Sequence, residues 1–283
     1  MTDTQLSPTG RFEKVLLATD GSEFSAGAMG AAIRLARKCD ARLYAMTMAF
    51  SNPEYDTLAP KLAKKGEQEA RQVLETVKAA AATEGLECEA VLRHGEDPSR
   101  EIVEEAEGRQ VDVIVMGRRG KRGLARLMVG DATAKVIGHA HCAVLVVPRA
   151  AEMPSKGIVL ATDGSRCSDA AAIAAGNLAK RCNLPLTVVS VITPSHGDQR
   201  REEARLAVER VVSFLGRDGV AAKGVIVEGR PDTAIVETAT RECADLIVVG
   251  SHGRTGLERV LVGSVSERVI GHAHCAVLVV KSA

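Results

Sequence analysis

The chain has 283 residues and a mass of 29.8 kDa; 46% of its residues are hydrophobic, 26% charged and 2% aromatic, with no tryptophan. That balance specifies a soluble, well-packed globule with a core of Ala, Val, Leu and Ile, and it lacks the aromatic platforms on which single-stranded nucleic acid stacks. The net charge is +1, with 21 Lys+Arg against 21 Asp+Glu in residues 1–150 and 16 against 15 in the rest, so neither half has the cationic surplus of a duplex binder.

No apolar run approaches the ~20 residues that span a bilayer, and MTDTQLSPTG has neither the charged nor the apolar region of an export signal. A cytoplasmic protein is expected, with no membrane or nucleic-acid partner. Seven cysteines, an odd number with no C-x-x-C pair, suggest neither a disulfide framework nor a zinc ribbon.

In chain order, VLLAT (from Val15) is a short strand ending at the turn Asp20-Gly21-Ser22. Ala28, Ala31, Ala32, Leu35 and Ala36 then recur at helical spacing. ARLYAMTMAF reads as a second strand, and GEQEARQVLETVKAAAATEG as a second helix beginning at Gly66 and stopped by Gly85. CEAVLRHG is a third strand and PSREIVEEAEGRQ a third helix. VDVIVMG is a fourth strand, continuously apolar as befits cover on both faces. A glycine-spaced loop follows, then a helix through ATAKVIGHA and a last strand, AVLVV.

The same order is then written again. Val15–Met48 matches Ile158–Val191 without a gap at an offset of 143, and VIGHAHCAVLVV occurs verbatim from Val136 and from Val269. Strand–helix alternation of this kind specifies an α/β fold with right-handed crossovers. The expectation is two tandem doubly wound domains, residues 1–150 and 155–283, each with a five-stranded, mostly parallel sheet flanked by helices. AAEMPSK is the seam.

In such sheets ligands sit beyond the carboxyl ends of the strands, where the strand order reverses. The first turn and the glycine loop both fall there. The loop reads GRRGKRGLARLMVGD from Gly117 to Asp131, and GSHGRTGLERVLVGS from Gly250 to Ser264. Glycines let the main chain approach a ligand closely. Ser264 stands where a helix would be capped, beside free N–H groups that favour an anion. Phosphate is the expected guest, although neither a P-loop nor a G-x-G-x-x-G fingerprint is present. Glycines after a strand also serve as plain turn residues.

The G-x-x-G-x9-G-[S/T] loop, the ATDGS turn and the closing HxxCAVLVV strand together resemble the universal stress protein family over nearly the whole chain. A tandem two-domain member is what the resemblance implies, with ATP, AMP or ADP as ligand, together with Mg²⁺ where a polyphosphate needs it. It places Ala161, Thr162 and Asp163 at the first turn, and Val189 and Val191 beside the base. Val249, Gly250, Gly253, Gly263, Ser264, Val265 and Ser266 would take phosphates and ribose. Asp163 also suits a simple turn-capping role. The resemblance further implies that the apolar end strands, Val144–Val147 and Val277–Val280, pair antiparallel across domains or, in a homodimer, across subunits; left unpaired they invite aggregation.

The first half departs from this pattern. Its counterparts are Asp20, Gly117, Gly120, Gly130 and Thr133, with Asp131 in place of Ser264. A carboxylate at a helix start brings its own anion to the phosphate position; repulsion on the order of 1–4 kcal/mol would weaken binding about tenfold or more. Arg118, Arg119, Lys121, Arg122 and Arg126 crowd the same loop and either restore anion binding or neutralise Asp131.

GHAHC occurs twice, giving His139, His141 and Cys142, then His272, His274 and Cys275. On a strand, H-x-H would point one way and begin a metal site; a helix-end histidine beside a buried cysteine is the simpler account. In the family, proline usually stands where His141 and His274 do. No nucleophile elbow or zinc-protease motif marks an enzyme, and Ser22 and Ser165 read as turn or cap residues. The expected function is a stress-response protein binding an adenine nucleotide, mainly in the second half. A nucleotide-free scaffold of the same fold and a slow ATP hydrolase stand beside it.

Overall fold

The computed structural model describes residues 12–120, 129–151, 155–195, 197–254 and 262–282. The first half runs β1 (Lys14–Ala18), α1 (Ala26–Cys39), β2 (Arg42–Phe50), α2 (Pro53–Leu58), α3 (Pro60–Thr83), β3 (Cys88–Gly95), α4 (Pro98–Arg109), β4 (Val113–Gly117), α5 (Asp131–His139) and β5 (Ala143–Val147). The second half repeats the order as β6 (Ile158–Ala161), α6 (Arg166–Cys182), β7 (Leu186–Ile192), α7 (Asp198–Arg217), β8 (Ala222–Glu228), α8 (Pro231–Arg241), β9 (Leu246–Gly250), α9 (Ser264–His272) and β10 (Ala276–Val280).

The strands form one ten-stranded sheet in the order β3-β2-β1-β4-β5-β10-β9-β6-β7-β8. Neighbours within a half are parallel. The two halves join through an antiparallel pair, with Val144 opposite Val279, Leu145 opposite Leu278 and Val146 opposite Val277. Each AVLVV strand is buried along its whole length, and successive residues serve opposite faces. Leu145, Val147, Leu278 and Val280 enter the core under α1, α3, α6 and α7. Val144, Val146, Val277 and Val279 enter the core under α4, α5, α8 and α9. Both layers therefore run through both halves. Phe12, Leu35 and Leu145 from one half, with Leu178, Leu246 and Leu278 from the other, line an apolar cavity of 20 Å³ at the junction.

Asp40 and Asn183 close α1 and α6 at φ 52° and 51°, a left-handed conformation that these short polar side chains tolerate. One boundary differs from the sequence expectation: α3 begins at Pro60, not Gly66. Proline is well suited to the first helical turn, and Pro53 does the same for α2, whose Asn52 Oδ1 accepts from Tyr55 N at 2.7 Å. No helix among the described residues is long and apolar enough to cross a membrane.

Leu278→Ala removes a side chain that is 1% exposed at the joint between halves, and about 2–5 kcal/mol of stability should go with it. Because the core is shared, urea unfolding of the wild type should show one transition, and the variant should shift that transition without splitting it.

Candidate functional site

β1 pairs with both β2 and β4, and β6 with both β7 and β9. The strand order thus reverses beside β1 and β6, so each first turn lies next to a glycine loop. In the second half the first turn is Thr162-Asp163-Gly164-Ser165. Asp163 Oδ1 accepts from Ser165 N at 3.0 Å, and Oδ2 from Arg254 N at 3.0 Å. Ser165 is the N-cap of α6, its side chain accepting from Ser168 N at 3.2 Å. Gly164 adopts φ +77°, the left-handed region that glycine enters freely.

The glycines of the loop are there because neighbours leave no room. A Cβ on Gly253 would lie 2.7 Å from Asp163 Oδ2, and one on Gly250 would lie 2.8 Å from both the carbonyl carbon and Cβ of Cys167. One on Gly263 would lie 3.0 Å from Ser251 O, which already accepts Gly263 N at 2.8 Å. Turn, loop and the start of α9 are therefore drawn together as one unit. Arg254 fastens it further, its Nε donating to Asp163 O and its Nη1 to Glu203 on α7. That guanidinium holds the half-buried Glu203 carboxyl below its usual pKa.

Helix α9 does not begin as expected. Gly263, in extended conformation, is the N-cap, and Ser264 is the first helical residue. No side chain among the described residues caps the helix, so its first N–H groups remain available to an anion. Ser264 and Val265 are exposed. Ser266 is turned inward, 7% exposed, and donates to Gly250 O at 2.7 Å. Its hydroxyl proton thus locks the loop to the helix. Of the residues expected beside a base, Val191 is half-buried, whereas Val189 is fully buried and its carbonyl accepts Thr162 N at 2.9 Å. Ala161 and Gly250 are half-buried, and Val249 belongs to the core.

The first half builds the same frame. Asp20 Oδ1 accepts from Ser22 N at 3.0 Å and from the hydroxyls of Ser22 and Ser25 at 2.6 and 3.1 Å. A Cβ on Gly120 would lie 2.7 Å from Asp20 Oδ2. Thr133, 3% exposed, donates to Gly117 O at 3.1 Å, as Ser266 does to Gly250. Gly130 is the N-cap and Asp131 the first residue of α5. Asp131 is thus a first-turn carboxylate and not the cap. Its partner is Lys135, Nζ to Oδ2 2.9 Å, which in turn has its pKa raised by Asp131. The i,i+4 spacing of this pair is one that the sequence itself displays. Arg118 turns away to the other half, its Nη1 donating to Gly271 O at 2.7 Å. Lys121, Arg122 and Arg126 lie outside the described residues.

The histidines do not lie on a strand. His139 and His272 end α5 and α9. His139 Nδ1 lies 2.8 Å from Lys135 O, and His141 Nε2 3.0 Å from Glu107 Oε1. His272 Nδ1 lies 3.7 Å from Asp232. The pair in each GHAHC segment is divided by the helix end, and no group of three or more potential metal ligands occurs among the described residues.

The universal stress protein family model matches residues 11–148 and again residues 154–281. The chain belongs to the universal stress protein family. It is a tandem, two-repeat member. The universal stress protein MJ0531 of Methanocaldococcus jannaschii is 42% identical over 139 residues, 44% of this chain and 82% of that protein. YxiE of Bacillus subtilis is 33% identical over 147 residues, 48% of this chain and 99% of that protein. The crystal structure of a universal stress protein from Archaeoglobus fulgidus superposes with a TM-score of 0.76, covering 98% of both chains at 21% identity; at that identity the likeness is one of fold.

Cys167 lies under Gly250 in this universal stress protein. Burial pushes its thiol up, but the hydroxyl and N–H of Ser282, the Ser251 hydroxyl and the His252 N–H together bring its pKa below the ordinary cysteine value. Burial pushes Cys275 up to about 11 and Cys142 up to about 12. Since the thiolate is the nucleophile, iodoacetamide near neutral pH should alkylate Cys167 before Cys142 and Cys275. Peptide mass spectrometry reads the order. Gly250→Ala must displace α6 backbone, and a loss of about 1–3 kcal/mol is expected in chemical denaturation.

Proposed function

We propose that this member of a family of stress-response proteins is cytoplasmic and binds an adenine nucleotide, ATP or its di- or monophosphate, principally in the second half. The phosphates lie against the N–H groups at the start of α9, around Gly263, Ser264 and Val265, with Mg²⁺ accompanying a polyphosphate. The nucleoside faces the first turn at Ala161, Thr162 and Asp163, with the half-buried Val191 beside the base. Each Asp163 oxygen already accepts one backbone N–H and has a further lone pair with which to accept from a hydroxyl or amine donor of the nucleoside.

One observation carries this reading: the glycine loop closes on Asp163 while leaving the start of α9 without a side-chain cap. A plain turn does not need that combination. It requires small residues at three separate places and presents main-chain donors where the helix dipole favours negative charge. The reading is one of binding: among the described residues the crevice offers donors and acceptors suited to a nucleotide. The first half is the weaker site. Asp131 brings a carboxylate to the equivalent helix start, although its pairing with Lys135 softens the repulsion.

Isothermal titration of the intact protein with Mg·ATP tests this. Ser264→Asp should lower affinity about tenfold or more, the consequence of a like charge a few ångströms from phosphate. Asp131→Ser should add binding in the first half. Wild-type protein that takes up no adenine nucleotide, and releases none on denaturation and mass spectrometry, overturns the proposal.

A further inference from the structure

We infer that Arg118, in the glycine loop of the first half, is a positioning residue for the nucleotide site of the second half, so that one repeat tunes the other. This rests on the reading of α9 given above. Arg118 directly follows Gly117 at the end of β4, and its Nη1 donates across the domain joint to three carbonyls at the end of α9. They are Gly271 O at 2.7 Å, Ala273 O at 3.2 Å and Ile270 O at 3.3 Å. The last carbonyls of a helix have no partner within it, and a cation there is favoured by the dipole.

Helix α9 has only nine residues, so about 13 Å separate its two ends. A helix that short moves as one rod. Its first turn presents the donors proposed for phosphate, and Ser266 ties that turn to Gly250. Arg118 fixes the opposite end from the other half of the molecule. Burial lowers the Arg118 pKa, in keeping with a guanidinium that has exchanged water for carbonyl oxygens.

The mirror contact is made differently. In the second half the place of Arg118 is taken by Ser251, 2% exposed and too short to cross the joint. The end of α5 is held by Lys281, whose Nζ donates to Gly138 O. Lys281 follows β10 and lies outside both glycine loops; its counterpart in the first half is Pro148. Equivalent carbonyls, Gly138 and Gly271, are thus capped from non-equivalent positions. Among the described residues, α9 is tied to the glycine loop of the opposite repeat and α5 is not, so it is the loop of the first half that supports the helix of the second.

The test uses the full chain, with Mg·ATP titrated into wild type, Arg118→Met, Arg118→Lys and Lys281→Met. Arg118→Met should weaken binding about fivefold, the size expected for losing a charge at a helix end. Arg118→Lys should recover part of that loss. Lys281→Met, which cuts the mirror contact, should stay within about twofold of wild type. Amide exchange over residues 264–273 gives a ligand-free readout, with protection falling in Arg118→Met and kept in Lys281→Met. Equal binding by wild type and Arg118→Met overturns the inference, and so does equal weakening by both methionine variants, which would make the joint as a whole responsible. Unchanged exchange in α9 of Arg118→Met also overturns it. Wild type that binds no nucleotide removes the underlying reading as well, and is told apart because exchange still reports on the Arg118 strut.

Discussion

Two strands of identical sequence, AVLVV, meet antiparallel in the middle of the sheet, and the rest of the molecule is arranged around that meeting. Each strand ends one repeat and would otherwise expose an apolar edge. Paired with each other, they bury every residue and turn two five-stranded sheets into one. The pairing also sets a pseudo-twofold relation between the repeats. It brings the carboxyl end of α9 within reach of the loop after β4, and the end of α5 within reach of the residue after β10. Neither contact would exist if the repeats were beads on a string.

Within each repeat a second constraint acts at closer range. The loop after the fourth strand has to approach the first turn until glycine Cα atoms rest on Asp163 or Asp20 and on the start of the first helix. Once it does, most polar groups of the frame are already engaged. Asp163 accepts two backbone N–H groups, Ser266 and Thr133 bond back to Gly250 and Gly117, and Ser165 caps α6. The start of the last helix has no side-chain cap, and the anion site proposed above would draw its donors there, from main chain.

The fold was legible because its signals are local and stated twice. Short β-branched runs, helical spacing in the Ala-rich stretches and a gapless repeat left little freedom of topology, and positions such as Gly250 and Gly253 stood out by matching Gly117 and Gly120. What escaped depended on a dihedral angle or on distance along the chain. Whether Ser264 or Gly263 is the cap turns on one residue's φ and ψ, and residue types alone favour serine. Pro60 starts α3 within a segment that the second repeat shortens, so the repeat offered no guide. His141 left the strand because α5 ends at His139. Arg118 meets Gly271 across 153 positions, and Arg254 meets Glu203 across 51; no spacing rule connects either pair. Lys135 stands at i,i+4 from Asp131, a spacing that the sequence displays, whereas the five neighbouring loop cations offer a competing counter-charge.

A duplicated domain can keep two equal sites or let them diverge, and the joint between repeats decides what divergence is useful. Where the second repeat has Ser251 and Ser264, the first has Arg118 and Asp131. Taken singly, the aspartate looks like simple decay of a phosphate site. Taken together, the two changes alter what the loop addresses: a first-turn carboxylate pairs with Lys135, while the guanidinium beside Gly117 is directed outward to α9. With Asp131 paired to Lys135, the Arg118 guanidinium serves the carbonyls at the end of the neighbouring helix. On these contacts, the proposed weakening of the first site and the proposed support of the second go with the same pair of residue differences.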